Sequence, residues 1–454
     1  MQPNIIFLVI DSIRSDKFFS TDTTSKKPNI DNLIQTGTYF SQAITSADAT
    51  ILSWSSMYTG KYPFKTGIRS SRFNKLDDNT LTMFNLLEKS GYFLYSFTPT
   101  FSETIGLFPK FQNENNFYDF TETLDTGLGN KILDVLSSVT TKHPWFLNIH
   151  LMDLHYPLTV PSNFDSELFG FSKYERVISS IDSWIKKIIN HIDLNNTILI
   201  ITGDHGAYIK KIKKDSDIID FEDNGKNEIL KKKLVSYAPK FIRPLKDKIF
   251  FSNESKNNSK KLEILSKYDL TSYEERALMS GHFSIDHDLY DEKLCVPLLF
   301  VGNNIDQNKI FSKQVRLIDI LPTICFLAKI DFNDSSFDGN SLIPLKNETE
   351  FEELPVYIES NPLIDIKSND VIGIRTSQFK YFRDKDSKSN RVHLFDLTND
   401  PFEEKNIANK NIEKVSEMES ILEKILTNHE KLKINESDDI SKEIESELKK
   451  MGYI

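Results

Sequence analysis

Cysteine is scarce in this chain: Cys295 and Cys325 are the only two in 454 residues. Both lie inside apolar stretches, which makes them buried small hydrophobes rather than a disulfide or a nucleophile. Basic charge is not in excess. The formal net charge is −10, which argues against a nucleic-acid partner. Long hydrophobic runs are missing too. The N-terminal MQPNIIFLVIDS has no basic lead, and its apolar stretch is too short for a signal peptide or a membrane span. It reads as a first strand, and the chain is expected to be soluble and cytoplasmic. No internal repeat is present. What remains is an ordinary globular composition, 39% hydrophobic and 27% charged. The chain is long enough for a large core and more than one domain.

Two short apolar runs end in carboxylates. Asn4–Ile10 stops at Asp11, and ILIITGDHG, residues 198–206, stops ahead of Asp204 and His205. Such runs predict buried parallel strands, whose C-terminal ends are where open α/β sheets place ligands. An oxygen ligand beside an imidazole suits a divalent cation. A loop aspartate followed by a hydrogen-bonded histidine is the plainer alternative. Arg14 and Asp16 follow Asp11 and can simply pair with each other.

Hydroxyls crowd residues 46–67: Thr50, Ser53, Ser55, Ser56 and Thr59. Ser53 suits a helix cap. A hydroxyl beside a cation and at a helix start is also how an alkoxide nucleophile is made. Trp145–Leu151 predicts another buried strand, which delivers Asp153 and His155. Pro28–Phe40 and Tyr174–Ile189 have helical spacing.

These motifs, taken together, resemble the sulfatase branch of the alkaline phosphatase superfamily. DSIRSD is similar to that family's opening Asp-x-x-Arg-x-Asp motif. TILSWSSMYTGKYP is similar to its nucleophile motif, NIHLMDLHYP to its Met-Asp-x-His-x-Pro segment, and TGDHG to its metal motif. DLYDEKLCVPLLFVG resembles the strand after an active-site histidine or lysine. VRLIDILPTI, DGNSLIPL, IGIRTSQFKYFRD and LFDLTNDPFEEKNIA continue the match in order. Thr50 falls where the family's cysteine is converted to formylglycine, and Leu52 and Trp54 replace the Pro and Arg of that signature. The resemblance therefore implies no formylglycine, with Thr50 as nucleophile, as in phospho-transferring members. Asp11-Ser12 replaces a usual pair of aspartates, which favours a single-cation site.

The implied fold class is α/β, a three-layer sandwich with a mostly parallel central sheet, plus a small α+β C-terminal subdomain. The catalytic domain is expected over residues 1–345 and the subdomain over 346–454. Asp11, Asp204 and His205 would hold one divalent metal ion (Ca, Mg, Mn or Zn), with Thr50 against it. His155, and His282 or His287, would contact the transferred group, the spacing leaving both open. Asp153 would orient His155, and Lys61 and Arg14 are lesser candidates. Residues 207–281 form a basic insertion, 17 Lys and Arg against 12 Asp and Glu. It is either a solvated surface or a lid over an anionic substrate. The expected activity is hydrolysis of a small-molecule or glycan sulfate or phosphate ester, with no nucleic acid and no membrane span. A phospho-headgroup transferase and a degenerate metal-stabilised scaffold stand as alternatives. The oligomeric state is not legible.

Overall fold

The computed structural model of the chain describes residues 2–68, 76, 80–139, 143–222, 258–280, 286–331, 336–345, 347–362 and 368–427. The strands are β1 (Asn4–Ile10), β2 (Thr38–Ile44), β3 (Phe93–Pro99), β4 (Phe117–Tyr118), β5 (Trp145–Leu151) and β6 (Thr197–Gly203). A hairpin of β7 (Lys211–Lys214) and β8 (Asp217–Asp220) follows, then β9 (Cys295–Gly302) and β10 (Lys309–Arg316). Eight of them make one sheet, in the order β10-β2-β9-β6-β1-β5-β3-β4. Only β9 is reversed, antiparallel to both β2 and β6. Every residue of β1, β5 and β6 is buried, as central strands covered on both faces require.

Two groups of helices cover the sheet. Pro28–Gln35, Leu128–Ser138 and Lys173–Ile189 pack together, as do Thr50–Thr59, Met83–Lys89 and Ile320–Leu327. Asp182 ties the first group by accepting the N–H groups of Asn29 and Ile30, at 3.0 and 2.8 Å, at a helix start. The helix expected over Pro28–Phe40 ends at Gln35, and its last residues belong to β2. Gly37 explains the break, because a Cβ there would lie 2.4 Å from the Phe300 carbonyl oxygen. The chain passes too close to β9 to continue as a helix.

A second, antiparallel sheet holds β11 (Val356–Glu359), β12 (Val371–Arg375), β13 (Phe379–Asp384) and β14 (His393–Asp396), in that order. The Ile412–Thr427 helix packs on it through Met418 and Leu422. Ile44, Leu289 and Leu294 share its core with Val356 and Phe382. A buried ion cluster crosses the same seam: Lys380 and Arg375 both meet Asp291. The helix expected from the final SDDISKEIESELKKMGYI lies outside the described residues.

The described ends of the basic insertion are packed. Ile219, Leu265 and Leu278 form a small core. The Ser272–Met279 helix presents Arg276, which donates to Glu292 at 2.8 Å and covers the Tyr290 ring. In the first lysine run Lys211 pairs with Asp220 and Lys214 with Glu274, while Lys213 is exposed. The second run, Lys231 to Lys233, lies outside the described residues. No described helix is long and apolar enough to cross a membrane.

Candidate active site

The sheet order brings the site together. β1 lies between β6 and β5, with Ile10 paired to Gly203 on one side and to Leu151 on the other. Neighbouring strands are about 4.8 Å apart, so the residues just past β1 and β6 emerge side by side. These are Asp11 and Asp204, and both are fully buried. The turns that hold them need small residues. A Cβ on Gly206 would lie 2.2 Å from the Glu292 carbonyl oxygen. Ser12 turns back at φ +60°, and its N–H donates to Asp204 Oδ1 at 3.2 Å. The N–H of His205 donates to the same oxygen at 2.8 Å. Asp204 Oδ2 meets no hydrogen-bond partner.

Thr50 is the first residue of the Thr50–Thr59 helix and is buried. Its hydroxyl donates to Asp11 Oδ2 at 3.0 Å and lies 3.3 Å from His205 Nε2. His205 Nδ1 donates to the Gly206 carbonyl at 2.8 Å, since that oxygen only accepts. In the neutral ring Nε2 then carries the lone pair, and it faces Thr50 and the carboxylates. Burial pulls this imidazole down, but Asp204 and Asp11 outweigh burial and hold it above its ordinary value. Burial would raise the Asp11 carboxyl, yet His150, His155 and His205 hold it well below the usual range. Asp204 is raised, by burial and by Asp11, against the pull of His205.

The residues present fit a divalent cation. Asp11, Asp204 and His205 each offer one ligand atom, all within 4.8 Å of one another. Asp204 Oδ2 is buried without a hydrogen-bond partner, and with Nδ1 donating to Gly206 the neutral imidazole offers Nε2 as a ligand.

The other expected residues divide. His155 is buried just past β5, close enough to help keep Asp11 ionised. Asp153 Oδ1 accepts the Leu124 N–H at 3.1 Å, and its Oδ2 has no hydrogen-bond partner. Burial pushes its carboxyl up to about 7. His282 lies outside the described residues. His287 has its Nε2 buried without a hydrogen-bond partner, 4.0 Å from Asp370 on the second-sheet side. Asp48, two residues ahead of Thr50, is near it. Arg14 is taken up by Asp16 and the Tyr273 hydroxyl, at 2.8 and 2.9 Å. Lys61 follows the far end of the ten-residue Thr50–Thr59 helix, about 15 Å along its axis from Thr50. Ser53 is not a cap; it lies inside that helix and donates to the Asp204 carbonyl at 2.7 Å. Burial raises both cysteine thiols to about 12, which suits inert hydrophobes.

One residue escaped the sequence reading. His150 lies in β5, paired in register with Val9, two residues before Asp11. Strand alternation puts it on the Asp11 face. Its Nε2 is 3.8 Å from Asp11 Oδ2 and 3.9 Å from Asp204 Oδ2. A histidine inside an otherwise buried apolar strand was the available signal.

A strand-end carboxylate pair, an imidazole and a helix-terminal hydroxyl thus converge on one buried point, with a donor set that fits a divalent cation. The chain belongs to the sulfatase family: the Sulfatase model matches residues 3–330. The model for the N-sulphoglucosamine sulphohydrolase C-terminal region matches residues 281–432. Arylsulfatase K of Bos taurus is 34% identical over 158 residues, 32% of this chain and 29% of the relative. Human N-acetylglucosamine-6-sulfatase is 39% identical over 69 residues, 14% of this chain and 12% of the relative. The chain thus aligns with less than a third of the length of these relatives. Solved structures share the fold over nearly the whole chain. A 2-O GAG sulfatase superposes with TM-score 0.63 at 16% identity, covering 96% of this chain and 95% of the other. The phosphonate monoester hydrolase of Agrobacterium radiobacter does so with TM-score 0.64 at 14% identity, covering 94% and 96%.

Proposed function

We propose that the chain hydrolyses sulfate or phosphate esters with Thr50 Oγ1 as nucleophile at a one-cation centre. The observation that carries this is the Thr50 hydroxyl itself. It sits at a helix start, 3.0 Å from Asp11 Oδ2 and 3.3 Å from His205 Nε2. Asp11, Asp204, His205 and Thr50 would hold the cation. Bound there, it supplies Lewis-acid polarisation of the ester oxygen and lowers the pKa of the hydroxyl. The positive end of the Thr50–Thr59 helix favours the same alkoxide.

The chain's own residues carry the remaining steps. Thr50 Oγ1 already has a proton acceptor in Asp11 Oδ2. It forms the bond to sulfur or phosphorus, and the alcohol oxygen leaves with the bonding pair. His155, with His282 or His287, steadies the equatorial oxygens and supplies the proton the alcohol takes up. Water then cleaves the Thr50 ester and restores the hydroxyl. Threonine at position 50 means this reading needs no formylglycine. Several structural neighbours act on sulfated sugars by their names, and one on phosphonate monoesters, so both ester types belong in the test.

The test is turnover of paired aryl sulfate, phosphate monoester and phosphodiester substrates by cation-reconstituted protein, wild type beside Thr50→Ala. The reading expects turnover by wild type and its loss, by about a thousandfold or more, in Thr50→Ala. Turnover that survives Thr50→Ala overturns the nucleophile. Activity that appears only with an added acceptor alcohol makes the chain a transferase, and cation binding without any turnover makes it a scaffold.

A further inference from the structure

His150 is held by more contacts than a core histidine needs. Trp54, on the Thr50–Thr59 helix, donates its indole N–H to His150 Nδ1 at 3.0 Å. The two rings meet edge to face, with centroids 4.7 Å apart. Trp54 is itself fixed, stacked on Phe101 at 5.5 Å and set against the edge of Phe108 at 5.3 Å. The Tyr118 hydroxyl donates to the His150 carbonyl, so the backbone is pinned as well.

An indole nitrogen can only donate, so His150 Nδ1 is the acceptor and the ring proton is on Nε2. This is the opposite tautomer to His205. A nitrogen that carries a proton is not a metal ligand. His150 Nε2 is fully buried, without a hydrogen-bond partner, and Asp204 Oδ2 is in the same state 3.9 Å away. Asp11 Oδ2 lies at 3.8 Å. At these distances neither contact is a direct hydrogen bond. They place one N–H dipole beside two buried carboxylate oxygens.

We infer that His150, its tautomer set by Trp54, is a positioning residue of the cation site: it faces Asp11 and Asp204 with an N–H and is not a ligand. This rests on the reading of Asp11, Asp204 and His205 as the cation ligands. The N–H attracts the two oxygens and limits the rotation of both carboxylates. Their remaining lone pairs are then directed toward His205 Nε2 and Thr50 Oγ1. Partners of this kind, one step behind the ligands, usually change cation affinity by about ten- to a hundredfold.

The experiment is calorimetric titration of the full chain with Mn²⁺ alone and with Ca²⁺ alone, for wild type, His150→Phe, His150→Gln and Trp54→Phe. Histidine ¹⁵N spectra of the wild type and Trp54→Phe accompany it. The inference expects an Nε2–H signature for His150 with and without cation. It expects about ten- to a hundredfold weaker binding in His150→Phe, most of it restored in His150→Gln, which keeps a donor. Trp54→Phe should admit the Nδ1–H tautomer and weaken binding. Unchanged affinity in His150→Phe overturns the role of His150 and leaves the cation site standing. A wild type that takes up neither ion overturns both. An Nε2 resonance that loses its proton when Mn²⁺ or Ca²⁺ is added makes His150 a ligand and overturns the inference. Should His150→Phe not fold, the wild-type spectra decide between these outcomes.

Discussion

Replacing Asp204 by Asn should have opposite effects on stability with and without the cation. The side chain is fully buried, and its Oδ1 accepts two backbone N–H groups. Asparagine keeps that acceptor, so the turn after β6 survives. What it removes is an anion within 4.8 Å of Asp11. At that separation and an effective dielectric of about 20, two unit charges repel by about 3.5 kcal/mol. Asn Nδ2 is left without an acceptor of its own, which offsets about 1–3 kcal/mol. In chelator, Asp204→Asn is therefore expected to exceed wild type by about 0.5–2.5 kcal/mol. Burial raises the Asp204 carboxyl, so the folded chain binds this proton more readily than the unfolded chain. Wild-type stability from this group falls as pH rises, and the advantage of the variant grows with pH. With cation present the order reverses. Wild type gains about 2.7 kcal/mol at a concentration of about 100 Kd, and the variant, lacking one ligand, gains far less. Denaturant unfolding in EDTA and across a Mn²⁺ titration measures both. A variant clearly less stable than wild type in EDTA refutes the repulsion argument. A variant that gains as much from Mn²⁺ as wild type refutes the ligand assignment.

Other outcomes follow from the same packing. Burial holds the Asp153 carboxyl at about 7 in the folded chain, so the folded state carries this proton where the unfolded state has lost it. Its contribution to stability falls as pH rises between about 4 and 7. Asp153→Asn, which keeps the acceptor for Leu124, should therefore unfold at higher denaturant than wild type at pH 8, with the gain vanishing near pH 4. A gain independent of pH rules this out. Arg276→Ala removes the donor to Glu292 and to the carbonyls of Phe402 and Glu403. It should cost about 2–4 kcal/mol in denaturant unfolding, and a change under 1 kcal/mol would show the insertion's helix to be loosely attached.

The sequence by itself determined the strand ends and the chemistry they carry. Asn4–Ile10 and Thr197–Gly203 read as parallel strands because central strands, covered on both faces, must be apolar at every position. Asp11 and Asp204 were legible as candidate ligands because the C-terminal ends of such strands are where open α/β sheets place ligands. Thr50 was legible through its place in a motif. Tertiary structure decided what depends on neighbours. A strand's own residues do not say which strands flank it, so only the order β6-β1-β5 shows that His150 shares a face with Asp11. Nor does spacing along a helix say what stands opposite. Trp54 and Ser53 looked like a replaced signature residue and a cap, yet they hold His150 and the Asp204 backbone. Lys61 is close to Thr50 in sequence but lies at the other end of a rigid helix. Arg14 pairs with Asp16, as the local sequence allowed, whereas the partner of Lys211, Asp220, is set by the β7–β8 hairpin. Local sequence sets the period and the ends of each element. Which side chains meet across elements is set by packing, which no single segment contains.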